Sequence, residues 1–257
     1  MRPEHAWNIG WRWIVLLTGV VVLCCLPVLA SAIPVTTASL TPRQLEDRVL
    51  GSQSLSFSGY AESNATFGLP SLPAFSTVAS LLDGVTRMRV WQARPDHWRV
   101  DTLSDTGEDD TYQVGDNTFI WDSGEQLLTG IYGAQHIRLP RAADLTPPAL
   151  AIRMINGAGP EAKLSLLPAR RVAGQSAAGL AIKVANPQST IAQADIWASP
   201  GTGLPLLVEV FGRDSTRPTL ETQFLQAGLW TPDRAVLTPQ HSEGTGFTTT
   251  TPGDFAG

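Results

Sequence analysis

Apolar side chains recur along this chain with two periods. Leu40, Leu45 and Val49 fall at helical spacing behind the stretch Thr41-Pro42-Arg43-Gln44. Thr41 can cap, Pro42 suits a first helical turn, and Gln44 can close a capping box, so a short helix ending at Gly51 is predicted. The period then becomes two: Leu55, Phe57 and Ala61 alternate with Ser56, Ser58 and Tyr60, which is a strand pattern. Residues 63–84, spotted with Pro and Ser, read as a continuation of that strand followed by a loop packed on the surface. A hairpin follows, 86–93 and 98–103 joined by Arg94-Pro95-Asp96. After the acidic loop 105–110 comes GDNTFIWDSGEQLLTGI, residues 115–131, a further hairpin between turns of Gly, Asp, Asn and Ser.

The strand pattern stops at Leu139-Pro140. Thr146-Pro147-Pro148 starts a helix over 149–155, and Asn156-Gly157 offers it a left-handed end. Strands are predicted again over 164–167, 170–172, 179–185, 191–198, 206–211 and 219–225, and the run TTTTPGDFAG after Phe247 reads as disordered. The order helix, meander, helix, meander gives one α+β domain over 40–240 with a large curved antiparallel sheet of about eleven strands. Residues 241–257 form its tail.

Alternation also assigns faces. Leu180, Ile182 and Val184 oppose Ala181 and Lys183; Leu206, Val208 and Val210 oppose Glu209; Leu220 and Phe224 oppose Glu221 and Gln223. One face of the sheet is thus apolar, the usual one-sided pattern of antiparallel sheets. Leu150, Ile152, Met154 and Ile155 make the second helix apolar on more than one side, so it needs something to cover. Two helices of about ten residues fill only part of such a face. Either a second sheet layer or a cavity makes up the difference, and both remain open at this point.

The first 32 residues stand apart. Arg2 and Arg12 precede an apolar run over 13–29, and Ala30-Ser31-Ala32 is a small-x-small cleavage pattern. At ~1.5 Å per residue this run is somewhat short of a ~30 Å hydrocarbon core. It reads as a signal peptide cleaved after Ala32, or as an uncleaved anchor with Trp7, Trp11 and Trp13 at the interface. Both place the domain outside the cytoplasm, whether secreted, in the cell wall or membrane-anchored. Leu23 before Cys24 excludes a lipoprotein signal, and both cysteines lie in this segment. The domain must therefore be held by its core alone. The chain carries a formal charge of −5; without Arg2, Arg12 and Glu4 there remain 16 basic and 22 acidic residues, a net −6. No basic stripe exists to suit nucleic acid.

In its order of elements, the sequence resembles the LolA/LolB/RseB superfamily, and within it the LolA-like envelope proteins of actinobacteria. The likeness is carried by Leu55-Ser-Phe-Ser-Gly-Tyr60, by Trp91-Gln-Ala-Arg-Pro-Asp-His-Trp-Arg-Val-Asp101, and by Val114-Gly-Asp-Asn-Thr-Phe-Ile-Trp-Asp122. Arg171-Val-Ala-Gly174, Leu180-Ala-Ile-Lys183 and Gly203-Leu-Pro-Leu206 extend it over residues 40–240. Trp121 stands where the family often has Tyr, and 235–239 lacks its Phe-x-Phe. The resemblance implies an unclosed half-barrel with helices as a lid over an apolar cavity, and no enzymatic activity or cofactor. It implies a monomeric carrier of lipid or lipoprotein acyl chains, or a sensor contacting a membrane-protein partner. On this reading Trp98, Val100, Trp121, Leu180, Ile182, Val184, Leu206, Val208, Val210 and Phe224 line the cavity. Leu150, Ile152, Met154 and Ile155 form the lid.

Other chemistry is poorly supported. His97, His136 and His241 are scattered without metal spacing, and no Gly-x-Ser-x-Gly elbow exists. The acidic loop lacks the ligand spacing of an EF-hand. Asp101 and Asp122, each after an apolar-aromatic strand, are the candidates for a hydrolytic carboxylate pair, with a structural role far commoner for such residues.

Overall fold

A computed structural model describes residues 11, 13–21, 39–68, 76–105, 107–134, 138–240 and 244–251. The chain divides into two units, Met1–Thr36 and Thr37–Gly257. In the first, residues 11 and 13–21 are helical. Among the described residues no helix is long and apolar enough to cross a membrane. Ala32, the predicted cleavage site, lies outside the described residues, as do His136 and His241.

The second unit opens with α1 (Pro42–Gly51), whose capping box is formed as predicted: Gln44 N–H donates to Thr41 Oγ1 and Thr41 N–H to Gln44 Oε1. Leu45 and Val49 on its inner face are fully buried. A short 3-10 turn, η1 (Ser52–Ser54), leads into β1 (Phe57–Thr66). The segment read as a loop contains instead a helix, α2 (Ser76–Leu82), which seats Leu81 in the core. Seven residues are too few to show a helical period in the sequence. Then come β2 (Asp83–Arg94), β3 (His97–Leu103), β4 (Glu108–Val114), β5 (Asn117–Asp122) and β6 (Leu127–Ile131). A 3-10 turn, η2 (Ala142–Leu145), precedes α3 (Pro147–Ala158). The helix runs through Asn156-Gly157 and ends at Gly159, which takes the positive φ of 79° that a β-carbon disfavours. The rest are β7 (Lys163–Val172), β8 (Gln175–Lys183), β9 (Ile191–Ala198), β10 (Pro205–Gly212), β11 (Leu220–Gly228) and β12 (Gly246–Thr250).

All twelve strands form one open sheet in the order β12-β6-β5-β4-β3-β2-β1-β11-β10-β9-β8-β7. The architecture is thus a large, mainly antiparallel sheet not closed into a barrel, with a few short helices. The exception is β12, which pairs in parallel with β6. It belongs to the stretch expected to be a disordered tail. Its threonines suit a strand, and the outer edge of β6 offers the unpaired backbone groups that a further strand can use. β7 is a single strand where two were expected; its register shifts between Leu167 and Arg170, around Pro168. The freed Pro168 carbonyl accepts from Trp197 Nε1 at 3.0 Å, and the Arg170 guanidinium lies 3.8 Å from the centre of that indole. A β-carbon at Gly179 would stand 2.8 Å from Trp197 Nε1 and 2.7 Å from Leu167 Cβ, so the indole needs glycine there.

Helices α1 and α3 pack on one face of this sheet, with the body of α3 over β8, β10 and β11. Leu180, Ile182, Leu206, Val208, Val210 and Phe224 are buried among them. Trimming Leu206 to alanine is expected to cost about 2–5 kcal/mol in a denaturant melt, because this wholly buried position leaves a cavity when shortened.

Candidate functional site

Where α3 begins, the covering is incomplete. Between η2, the first turns of α3 and strands β1 to β3 lies a cavity of about 240 Å³. Phe57, Val90, Trp98 and Val100 form its sheet wall, and Ala143, Pro148, Ala149 and Ile152 face them. Register explains the first set. Val90 pairs with Val100, Gln92 with Trp98 and Phe57 with Gln92, so all five project to the helix face. Phe57 is fixed by an edge-on contact with Phe224 at 5.9 Å between ring centres.

Polar groups on the rim are tied into the protein. Gln92 Nε2 donates to the carbonyls of Gln53 and Leu55 at 3.0 and 3.1 Å, and Thr146 Oγ1 donates to Ala143 O at 2.9 Å. Asp144 accepts from Arg138 Nη1 and Nη2 at 2.6 and 2.7 Å and from Arg141 N–H at 2.8 Å. Burial opposes the Asp144 charge, but these donors outweigh it and hold the carboxyl below its ordinary pKa. The Asp144 hydrogen bond raises Arg138, whereas burial and the nearby Arg138 charge push Arg141 down to about 10. What the walls mainly offer a guest is therefore apolar contact.

The predicted site residues divide among three places. Trp98, Val100 and Ile152 line the cavity. Leu180, Ile182, Leu206, Val208, Val210, Phe224, Leu150 and Ile155 are core, while Val184 and Met154 are half-buried at its margin. Trp121 is on the other face of the sheet: Trp98 pairs with Gln113, whereas Trp121 pairs with Asp110, three residues away on the same strand and so of opposite parity. Phe57, Val90, Gln92 and the η2 residue Ala143 line the cavity without being among the predicted site residues. The first three were signalled by the alternation of the strands flanking Trp98; the last had no sequence signal.

Trp121 lines a wider cleft of about 700 Å³ on that opposite face, with Arg99, Asp110 and Tyr112 below it and Ala235, Val236 and Gln240 from the C-terminal segment. Arg99 is ion-paired to Asp101, to Asp110 at 2.9 Å and to Glu108 at 3.4 Å, and lies against the rings of Trp91 and Tyr112. Asp101 is fully buried; burial pushes its pKa up to about 8 against the pull of Arg99, with Asp110 adding to the rise. Carboxylate oxygens of Asp101, Glu108 and Asp110 come within 4.8 Å of one another, and the guanidinium stands where a cation would. Asp122 is not part of this group. It faces the opposite way on β5 and accepts from Glu125 N–H at 2.8 Å, a turn role. The two candidate hydrolytic carboxylates therefore do not meet.

No family model and no curated protein matches the sequence. Solved structures do match. The crystal structure of MucB aligns over 77% of this chain and 62% of its own, with a TM-score of 0.54 at 16% identity. The chain has the LolA/LolB/RseB-like fold. It spans about three fifths of the length of MucB. The Pseudomonas aeruginosa MucA/MucB complex aligns with a TM-score of 0.49 at 18% identity, over 77% of this chain and 61% of that one. A LolA superfamily protein from Nitrosomonas europaea aligns with a TM-score of 0.31 at 13% identity, over 78% of this chain and 99% of its own.

Proposed function

We propose that this protein binds acyl chains of a lipid or lipoprotein, without enzymatic activity, as a carrier or chaperone in the cell envelope. One observation carries the reading: the roughly 240 Å³ cavity with Phe57, Val90, Trp98 and Val100 on one wall and Ile152 on the other. An engineered apolar cavity of about 150 Å³ already takes up benzene, so this one is large enough for the end of a hydrocarbon chain. Sites for whole ligands are commonly about 300–1,000 Å³, so a complete acyl chain requires Ile152 to swing out of the wall. Each methylene buried contributes ~0.8 kcal/mol, and the half-buried Ile152 gives up only part of the ~1.5–3 kcal/mol of a full burial when it swings away. Opening by a ligand is thus favourable. The door is the Ile152 side chain, while Leu150 and Ile155, buried in the core, hold α3 in place.

Native mass spectrometry of protein purified without detergent should show bound acyl species; repeated recovery of empty protein that also ignores added fatty acid refutes the reading. Ile152→Asp should weaken binding of a fluorescent acyl probe with its circular-dichroism melt nearly unchanged, whereas Leu150→Asp, at a buried core position, should unfold the domain. Equal loss of fold in both would make the whole helix ordinary core.

A second reading is an RseB-like sensor that contacts a membrane-protein partner. MucB, whose fold is shared here at a TM-score of 0.54, has been solved in complex with MucA(peri). Ligand-free protein that captures one membrane protein from envelope extracts supports this reading over the carrier.

A further inference from the structure

The cleft on the outer face of the sheet is built differently from the apolar chamber. Its volume of about 700 Å³ falls within the range of whole-ligand sites. About 150 Å³ takes one benzene, so the cleft has room for more than one six-membered ring. The charges on its floor are spent on one another. Arg99 is held by Asp101, Asp110 and Glu108, and Asp110 Oδ2 also accepts from Tyr112 Oη at 3.1 Å. The groups left for a guest are neutral. Half-buried Trp121 has no ring or hydrogen-bond partner among the described residues, and the exposed side-chain amides of Gln126 and Gln240 have none there either. Gln126 holds a positive φ of 53°, which residues other than glycine rarely adopt, and its carbonyl accepts from Gly246 N–H at 2.9 Å. The residue carrying this amide is thus fixed beside β12.

A flat aromatic face beside planar groups that both donate and accept suits the apolar ring face and the hydroxyl edge of a sugar. An ion would meet charges already matched. A peptide backbone would find no ladder to join, because β4, β5 and β6 are each paired on both sides. We propose that this cleft binds a neutral glycan, with Trp121 against the sugar ring and Gln126 and Gln240 on its hydroxyls. The site is separate from the acyl chamber and does not depend on it.

The test places the whole chain on an array of neutral oligosaccharides, acidic oligosaccharides and peptides, and then titrates the best binder by calorimetry. Neutral oligosaccharides should bind, and 0.5 M salt should change their affinity by less than about twofold, because no ion pair is made. Gln126→Gly removes the amide at a position where glycine takes the positive φ without strain. It should fold as the unaltered protein does and lose roughly threefold to tenfold in glycan affinity, the worth of one hydrogen bond. Trp121→Ala should lose at least about tenfold. Should that variant not fold, Gln126→Gly combined with Gln240→Ala, at two exposed side chains, takes its place with a comparable loss. Acyl-probe affinity should stay unchanged in each folded variant, since the chamber is on the other face. Binding of no array member, a preference for acidic glycans or for peptides, or glycan affinity unmoved in the folded variants overturns the proposal.

Discussion

Replacing Arg99 by methionine should remove about 3–5 kcal/mol of folding stability at pH 7.5, the usual cost of leaving buried charge without its partner, and much less at pH 5. The reason lies in the two carboxyls it serves. Asp101 and Asp110 sit opposite one another on β3 and β4, both buried and both with pKa values raised first by burial. Among the described residues, one oxygen of each, Asp101 Oδ2 and Asp110 Oδ1, has no hydrogen-bond partner. A proton held between the pair satisfies both, and with Asp101 near 8 that proton stays at neutral pH. In the unfolded chain an aspartate ionises near 3.9, so between about pH 4 and 8 the folded state holds a proton that the unfolded state has released. Stability must then fall as pH rises through that window, by at most about 1.4 kcal/mol per unit for one proton. Urea midpoints of the unaltered protein should drop from pH 5 to pH 8, and Asp101→Asn should flatten the slope and be the more stable protein at pH 8. A midpoint that rises over this range would show that both carboxyls are ionised and matched by Arg99 alone.

The cluster gives Asp101 a structural role. Asp101 pins the register of β3 against β4 through Arg99, whose Nη1 also reaches Val236 O at 3.4 Å and so fastens the C-terminal segment across that face. The sequence shows Asp101 at the end of an apolar-aromatic strand but not Asp110 opposite it, because that pairing depends on the number of residues in the intervening loop. The same parity separates Trp98 from Trp121. Both look like cavity aromatics when each hairpin is read alone, and two turns later they stand on opposite faces.

What was legible follows the range of the interaction concerned. The α1 capping box spans three residues and is formed as read. Period-two alternation placed Leu180, Ile182, Leu206, Val208, Val210 and Phe224 together on one face, where they are buried. It could not say which strands lie under a helix, since the seating of α3 on β10 joins segments some fifty residues apart. The body of α3 covers β8, β10 and β11, so those residues became core. The chamber instead lies beneath its first turns, over β2 and β3. The parallel strand β12 was hidden for a related reason: a run of threonines acquires structure only when the edge of β6 is there to receive it.

That placement gives the second large effect. Ala149, half-buried in the first turn of α3, has its side chain on the cavity wall. Ala149→Phe would project a ring into the chamber. A cavity of about 150 Å³ accepts one benzene, so in about 240 Å³ a phenyl ring takes more than half of the space. Acyl-probe affinity should fall at least a hundredfold, because the few methylenes displaced are each worth ~0.8 kcal/mol. Stability should hold or rise, since filling an apolar void without strain commonly adds about 0.5–2 kcal/mol. This combination is what separates a binding chamber from a packing flaw. In a packing flaw the same ring would raise the melting temperature and change no affinity, because probe would have been bound elsewhere. If Ala149→Phe lowers the melting temperature by several degrees and spares probe binding, the ring has displaced α3 and the acyl chain lies on another surface. The companion change Ile152→Ala, which enlarges the chamber from the same helix, should move affinity for longer chains in the opposite direction. A matched gain and loss on one wall would locate the guest.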